Sequence, residues 1–183
     1  IEHFSAQDNK MLGVFVNAIL RFKTLILSGN CITEFYSDEY ALECVELDLS
    51  NNELTHFNKS LQMPYIEKLY LSQNNLSYND IQNLINKILK KTHIAYLDLS
   101  DQKAIVDDKE YELDFSALTK LIHLKISNMP GKLRVKLPNS VSSLYIDGSH
   151  ITNQEKINPI MIQKNQSLSH NTHVEITSTT QQI

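Results

Sequence analysis

Residues 44–54 read CVELDLSNNEL, residues 22–32 read FKTLILSGNCI, and residues 66–76 read IEKLYLSQNNL. Laid one above another, the three share an apolar residue at the first, fourth, sixth and eleventh places and Asn at the ninth. Three further segments keep the frame with some decay: IAYLDLSDQKA at 94–104, LIHLKISNMPG at 121–131 and VSSLYIDGSHI at 141–151. Successive starts lie 20 to 28 residues apart. Places four and six are alternate residues of an extended strand, so both point to the same side. Leu25 with Leu27, Leu47 with Leu49, Leu69 with Leu71 and Leu97 with Leu99 therefore stack into one expected core.

The pattern L-x-x-L-x-L-x-x-N-x-L resembles that of leucine-rich repeat proteins. The resemblance spans residues 20–155 and implies an α/β fold. That fold is a solenoid, with a curved parallel β-sheet on the concave side and helices and short turns on the convex side. It also implies that Asn30, Asn52 and Asn74 form a ladder, bonding backbone groups of adjacent turns that burial would leave unpaired. Gln102, Met129 and Ser149 stand at the ninth place further on, where the ladder is expected to fail and the turns to be less regular.

The segments between the repeats differ. Ser77 with Asp80 resembles a helix capping box, and Ile81, Leu84, Ile85, Ile88 and Leu89 follow at helical spacing. The 22-residue repeats leave room for short turns or 3₁₀ pieces only. Placing Phe4 on Leu76 aligns Ser5 with Ser77 and Asp8 with Asp80. Residues 1–21 are therefore expected to be an N-terminal helical cap or half repeat, residues 22–155 about six repeats, and residues 156–183 a C-terminal cap with a last strand at Val174 and Ile176 and a frayed tail.

The phrase LPNSV at 137–141 is similar to short bacterial and viral leucine-rich repeats. Together with a composition rich in Lys, Asn and Ile and poor in Cys, it resembles the leucine-rich repeat effectors of intracellular bacteria. The resemblance implies a module that binds a host protein; its alternative is the substrate-recognition part of a larger enzyme such as a ubiquitin ligase.

Composition narrows the chemistry. Of 183 residues, 42% are hydrophobic and 21% charged, as in globular proteins generally. The net charge of −4 argues against nucleic acid as partner, since such binders carry a basic stripe. No apolar run is long enough to cross a bilayer, so no membrane span is expected. The two cysteines, Cys31 and Cys44, read as reduced thiols, which favours a soluble protein in a reducing compartment, such as a host cytosol. Cys44 takes an apolar place of the pattern and reads as core. Phosphate-binding glycine loops, paired metal-ligating histidines and C-x-x-C are all missing from the sequence. We therefore expect no catalysis, no metal and no cofactor.

The informative surface is the concave face, formed by the strand positions that do not carry leucine. Its expected partner-binding residues are Glu46, Asp48, Lys68, Tyr70, Tyr96, Asp98, Asp101, His123, Lys125 and Tyr145. Counted with Lys23, Glu67 and Asp147, the face has a net charge of −3, which points to a partner with a basic surface. L-D-L-S is a common phrase in such repeats, so Asp48 and Asp98 also have a plainer reading, as solvation of the sheet. The tyrosines offer large contact area with a polar tip, and interface hot spots are enriched in them. The chain is expected to act as a monomer that binds a protein.

Overall fold

The structure, a computed structural model, describes residues 1–37, 39–58 and 60–164. It is α/β, with parallel strands in three sheets and one α-helix among the described residues. The largest sheet has eight strands: β1 (His3–Ser5), β3 (Leu20–Ile26), β5 (Leu42–Asp48), β7 (Lys68–Tyr70), β8 (Tyr96–Asp98), β10 (His123–Lys125), β12 (Ser143–Tyr145) and β14 (Ile162–Gln163). They lie side by side in chain order, and every pair is parallel.

The leucines set the register. Phe4, Leu25, Leu47, Leu69, Leu97, Leu124, Leu144 and Ile162 form one row across all eight strands. Leu47, Leu69, Leu97, Leu124 and Leu144 are completely buried, as are Leu49, Leu71 and Leu99 two residues on. A register slip of one residue would turn every leucine to the other face, so the row strongly specifies the pairing.

Beyond each core strand the chain turns sharply. Every turn contains a left-handed residue at the eighth place of its segment: Gly29 (φ 70°), Asn51 (52°), Gln73 (55°), Asp101 (59°), Asn128 (50°) and Gly148 (73°). Gly, Asn and Asp tolerate this conformation better than other residues, which accounts for most of the side chains at this place. The ninth place then carries the ladder. The Ile32 N–H donates to Asn52 Oδ1 (3.0 Å), and Asn52 Nδ2 donates to the Leu27 and Leu49 carbonyls (3.0 and 3.1 Å). Asn30 and Asn74 repeat the arrangement.

Contrary to expectation, the ladder does not stop after Asn74. Gln102 accepts from the Leu76 N–H (2.9 Å) and donates to the Leu71 and Leu99 carbonyls (2.8 and 3.0 Å). Its longer side chain carries the same amide. Ser149 does part of the work, accepting from the Met129 N–H (2.8 Å) and donating to the Ile126 carbonyl (2.6 Å). Met129 has no group that could serve.

The N-terminal segment also departs from expectation. Residues 1–21 are not helical: they contain β1 and a second strand, β2 (Gly13–Val16). Residues 1–11, IEHFSAQDNKM, themselves follow the pattern, with the left-handed residue Asp8 (φ 56°) at the eighth place and Asn9 at the ninth. Asn9 Nδ2 donates to the Ala6 and Gln7 carbonyls, both at 3.0 Å, as the later asparagines do within their own turns. The similarity of Ser5 and Asp8 to a capping box is thus a similarity of turn chemistry, not of helix.

The return segments are strands as well, not short turns or 3₁₀ pieces. In the first half β2, β4 (Glu34–Ser37) and β6 (His56–Phe57) form a parallel sheet. In the second half β9 (Glu110–Asp114), β11 (Lys132–Lys136) and β13 (His150–Ile151) form another. Val16, Phe35 and Phe57 from the first and Leu113, Leu133 and Val135 from the second join the leucines in one buried cluster.

One return is helical, as its spacing predicts: α1 (Tyr78–Lys87). Ser77 caps it, its Oγ accepting from the Asp80 N–H at 3.1 Å. Ile81, Leu84 and Ile85 are buried on one side. Gln82 ties the helix to β9, donating to the Asp114 carbonyl (3.1 Å) and accepting from its N–H (2.8 Å). No helix of the described residues is long and apolar enough to cross a membrane. At the C-terminal side, a 3₁₀ turn at Pro159–Met161 leads into β14. The strand expected at Val174 and Ile176 lies outside the described residues.

Candidate interaction face

The positions between the leucines form two rows on the opposite face of the large sheet. One row runs His3, Thr24, Glu46, Lys68, Tyr96, His123, Ser143. The other runs Ser5, Ile26, Asp48, Tyr70, Asp98, Lys125, Tyr145, Gln163. Nine of the ten sequence-derived face residues stand in these rows. The tenth, Asp101, sits in a turn with a left-handed backbone and accepts from Asn128 Nδ2 at 2.8 Å.

The rows bring the aromatic residues together. The Tyr70 and Tyr96 rings tilt against each other at 5.0 Å, and the His123 ring lies 6.0 Å from Tyr96. Lys125 Nζ stands 5.2 Å from the centre of the Tyr145 ring, in cation–π range. These residues, with Glu67, Lys68, Ala95, Gln163 and Lys164, surround a depression of about 780 Å³. Sequence reasoning does not reach Ala95, Gln163 and Lys164 as lining residues. The last two depend on β14, and the run PIMIQK at 159–164 puts Lys164, just after the strand, where the pattern wants an apolar residue.

The phenols remain protonated at neutral pH. Burial pushes the Tyr70 phenol up to about 12, with further upward pressure from the nearby Glu46 carboxylate and from Asp48 and Asp98. Burial likewise raises Tyr96, with Asp98 next. Both are therefore hydrogen-bond donors in the physiological range.

The acidic residues are less available than a charge count implies. Asp48 Oδ1 accepts from the Ser50 N–H (2.9 Å) and from Ser50 Oγ (2.6 Å). Asp98 is buried, and its Oδ1 accepts from the Ser100 N–H (3.0 Å). Both carboxylates thus serve their own L-D-L-S turns. Glu46 faces the Tyr70 phenol closely enough to raise it. Cys44 lies behind the sheet, completely buried but for 1% of its surface. Burial first, then Glu46, raises its thiol to about 12, so it stays protonated and a poor nucleophile.

Comparison with protein-family models, with curated proteins and with solved structures found no match.

Proposed function

We propose that this chain is a leucine-rich repeat solenoid and that it binds a protein through the face of the eight-stranded sheet carrying Tyr70, Tyr96 and Tyr145. The solenoid reading is supported by seven segments of one pattern, each with its left-handed residue at the same place. The observation that carries the functional reading is the convergence of three tyrosines and His123 around one depression. Every side chain in it is spaced by a parallel sheet whose register the buried leucine row holds. Aromatic groups fixed in this way give contact area without loss of much side-chain freedom on binding. Hot spots of protein interfaces are built from such residues.

The test is comparative capture from cell extract, with bound proteins identified by mass spectrometry. The wild-type chain, Tyr70→Ala/Tyr96→Ala and Lys87→Ala/Lys90→Ala are used side by side. A partner retained by the wild type and by the lysine variant, and weakened at least about tenfold (1.4 kcal/mol) by the tyrosine variant, supports the reading. A partner lost on the lysine variant and kept on the tyrosine variant overturns it. Circular dichroism of each variant guards against unfolding.

A further inference from the structure

The charges around the depression have the opposite sign to the chain as a whole. Lys68, Lys125 and Lys164 line it against a single carboxylate, Glu67. None of the three lysines makes an ion pair among the described residues. The hydroxyls of Tyr96 and Tyr145 bond to no protein group there either, and both are donors. Asp48 and Asp98 are hydrogen-bonded within their own turns, and Glu46 stands beside Lys68 on the adjacent strand without pairing with it. What the depression offers is therefore cations and O–H donors over aromatic rings, a set that suits carboxylates.

The spacing of the cations describes the ligand further. Lys68 is on β7, Lys125 two strands away on β10, and Lys164 follows β14, two strands further. Strands stand about 4.8 Å apart, so the backbones that carry neighbouring lysines are roughly 10 Å apart across the sheet. An extended chain covers that distance in about three residues. A single small anion could meet one lysine at a time, whereas an extended segment with an acid at about every third residue could meet all three.

Resting on the reading of this face as a protein-binding surface, we propose that the depression receives an extended acidic segment of the partner, laid across the strands, with carboxylates at Lys68, Lys125 and Lys164 and its apolar atoms on Tyr70, Tyr96 and Tyr145. A long polyanion such as nucleic acid is disfavoured by the net charge of −4 and by Glu46 and Asp48, which stand next to Lys68 and Tyr70 on the adjacent strand.

Short random peptides displayed on phage provide the test. They are selected on the wild-type chain after depletion on Tyr70→Ala/Tyr96→Ala, so that only peptides requiring the face remain. The expected result is enrichment of net-acidic peptides with acids about three residues apart. Their synthetic forms should lose at least about tenfold in affinity on Lys68→Gln/Lys125→Gln/Lys164→Gln, and should bind more weakly as salt rises. Enrichment of basic or neutral peptides, or acidic peptides indifferent to the lysine variant, overturns the acidic assignment and leaves the face standing. Tighter lysine-dependent binding of a single-stranded DNA oligonucleotide than of any selected peptide also overturns it. If no peptide requires the tyrosines, the binding face and the acidic assignment fail together.

Discussion

The turns at Asn52 and Asn74 and those at Gln102, Met129 and Ser149 solve one problem with different success. In the first group a buried amide accepts from the N–H of the preceding segment's eleventh residue and donates to carbonyls on both sides. The strand that follows begins two residues after that eleventh residue, β4 after Ile32 and β6 after Leu54. Where Met129 stands at the ninth place, no acceptor among the described residues is bonded to the Ala104 N–H. There the chain runs irregularly until β9 begins at Glu110, and Ile105 is fully exposed. The difference shows that the amide, and not the identity Asn, keeps each turn close to the next. Gln102 preserves the order with a longer arm, Ser149 preserves part of it with a hydroxyl, and a thioether preserves none.

The largest effect should follow from breaking the regular side. Asn52→Ala removes three buried bonds and leaves the Ile32 N–H to find another partner, while the Leu27 and Leu49 carbonyls keep Asn30 and Asn74, so the expected loss is about 2–3 kcal/mol. An unchanged urea midpoint would mean that the ladder does not support the turn. Gln102→Asn tests whether reach matters as well as chemistry. The amide is kept but shortened, and about 1–2 kcal/mol should be lost as the Leu76 N–H goes unpaired. Equal stability to wild type would show that the backbone adjusts to the shorter arm. Ser149→Ala removes a hydroxyl that is only half-buried, at an expected cost of about 1 kcal/mol.

A pH series separates the ladder from the tyrosine-bearing face. Ladder bonds join uncharged amides, so the Asn52→Ala deficit should be the same at every pH. The phenols behave differently. Tyr70 moves from 10 in the unfolded reference to about 12 in the fold, and Tyr96 moves in the same direction. Between these values the unfolded chain releases protons that the folded chain keeps, so stability should fall as pH rises from 10 to 12. Tyr70→Phe should make that fall shallower; an identical slope in thermal melts would remove Tyr70 as its source. The smallest effect is expected at Asn9, the ladder residue at the sheet edge. It is exposed and bonds only within its own turn, so Asn9→Ala should change stability by no more than about 0.5 kcal/mol. A loss as large as that of Asn52→Ala would show that an amide stabilises its turn without a neighbour.

Much of this architecture was legible in the residues. The paired leucines announce which face is buried, because their spacing matches the strand period, and Ser77 with Ile81, Leu84 and Ile85 announces a helix. The segment at 1–11 was equally legible, since Ile1, Phe4, Ala6, Asn9 and Met11 fit the template. It is obscured by the neighbouring run of apolar residues, which also fits a helical period. The strands β2 and β4 were harder to see. GVFV and EFYS are short, and a four-residue strand has too few alternations to stand out from a turn. The interaction face divides in the same way. Which side chains share it follows from the pattern, whereas the engagement of Asp48 and Asp98 by Ser50 and Ser100 and the inclusion of Lys164 do not.

What the sequence determines alone is periodic: the buried row, its partner rows on the other face, and the turn between them at the eighth and ninth places. These follow from local geometry, since alternate residues of a strand face one way whatever lies next to it. What only the tertiary structure decides is how one segment meets another. The amide of Gln102 can replace Asn because, in the fold, its longer side chain still meets the Leu76 N–H and the Leu71 and Leu99 carbonyls. Tyr70, Tyr96, His123 and Tyr145 become one cluster because four strands from distant parts of the chain lie in adjacent register. No local rule encodes the balance of charge at that cluster, because it depends on which carboxylates the neighbouring turns have already engaged.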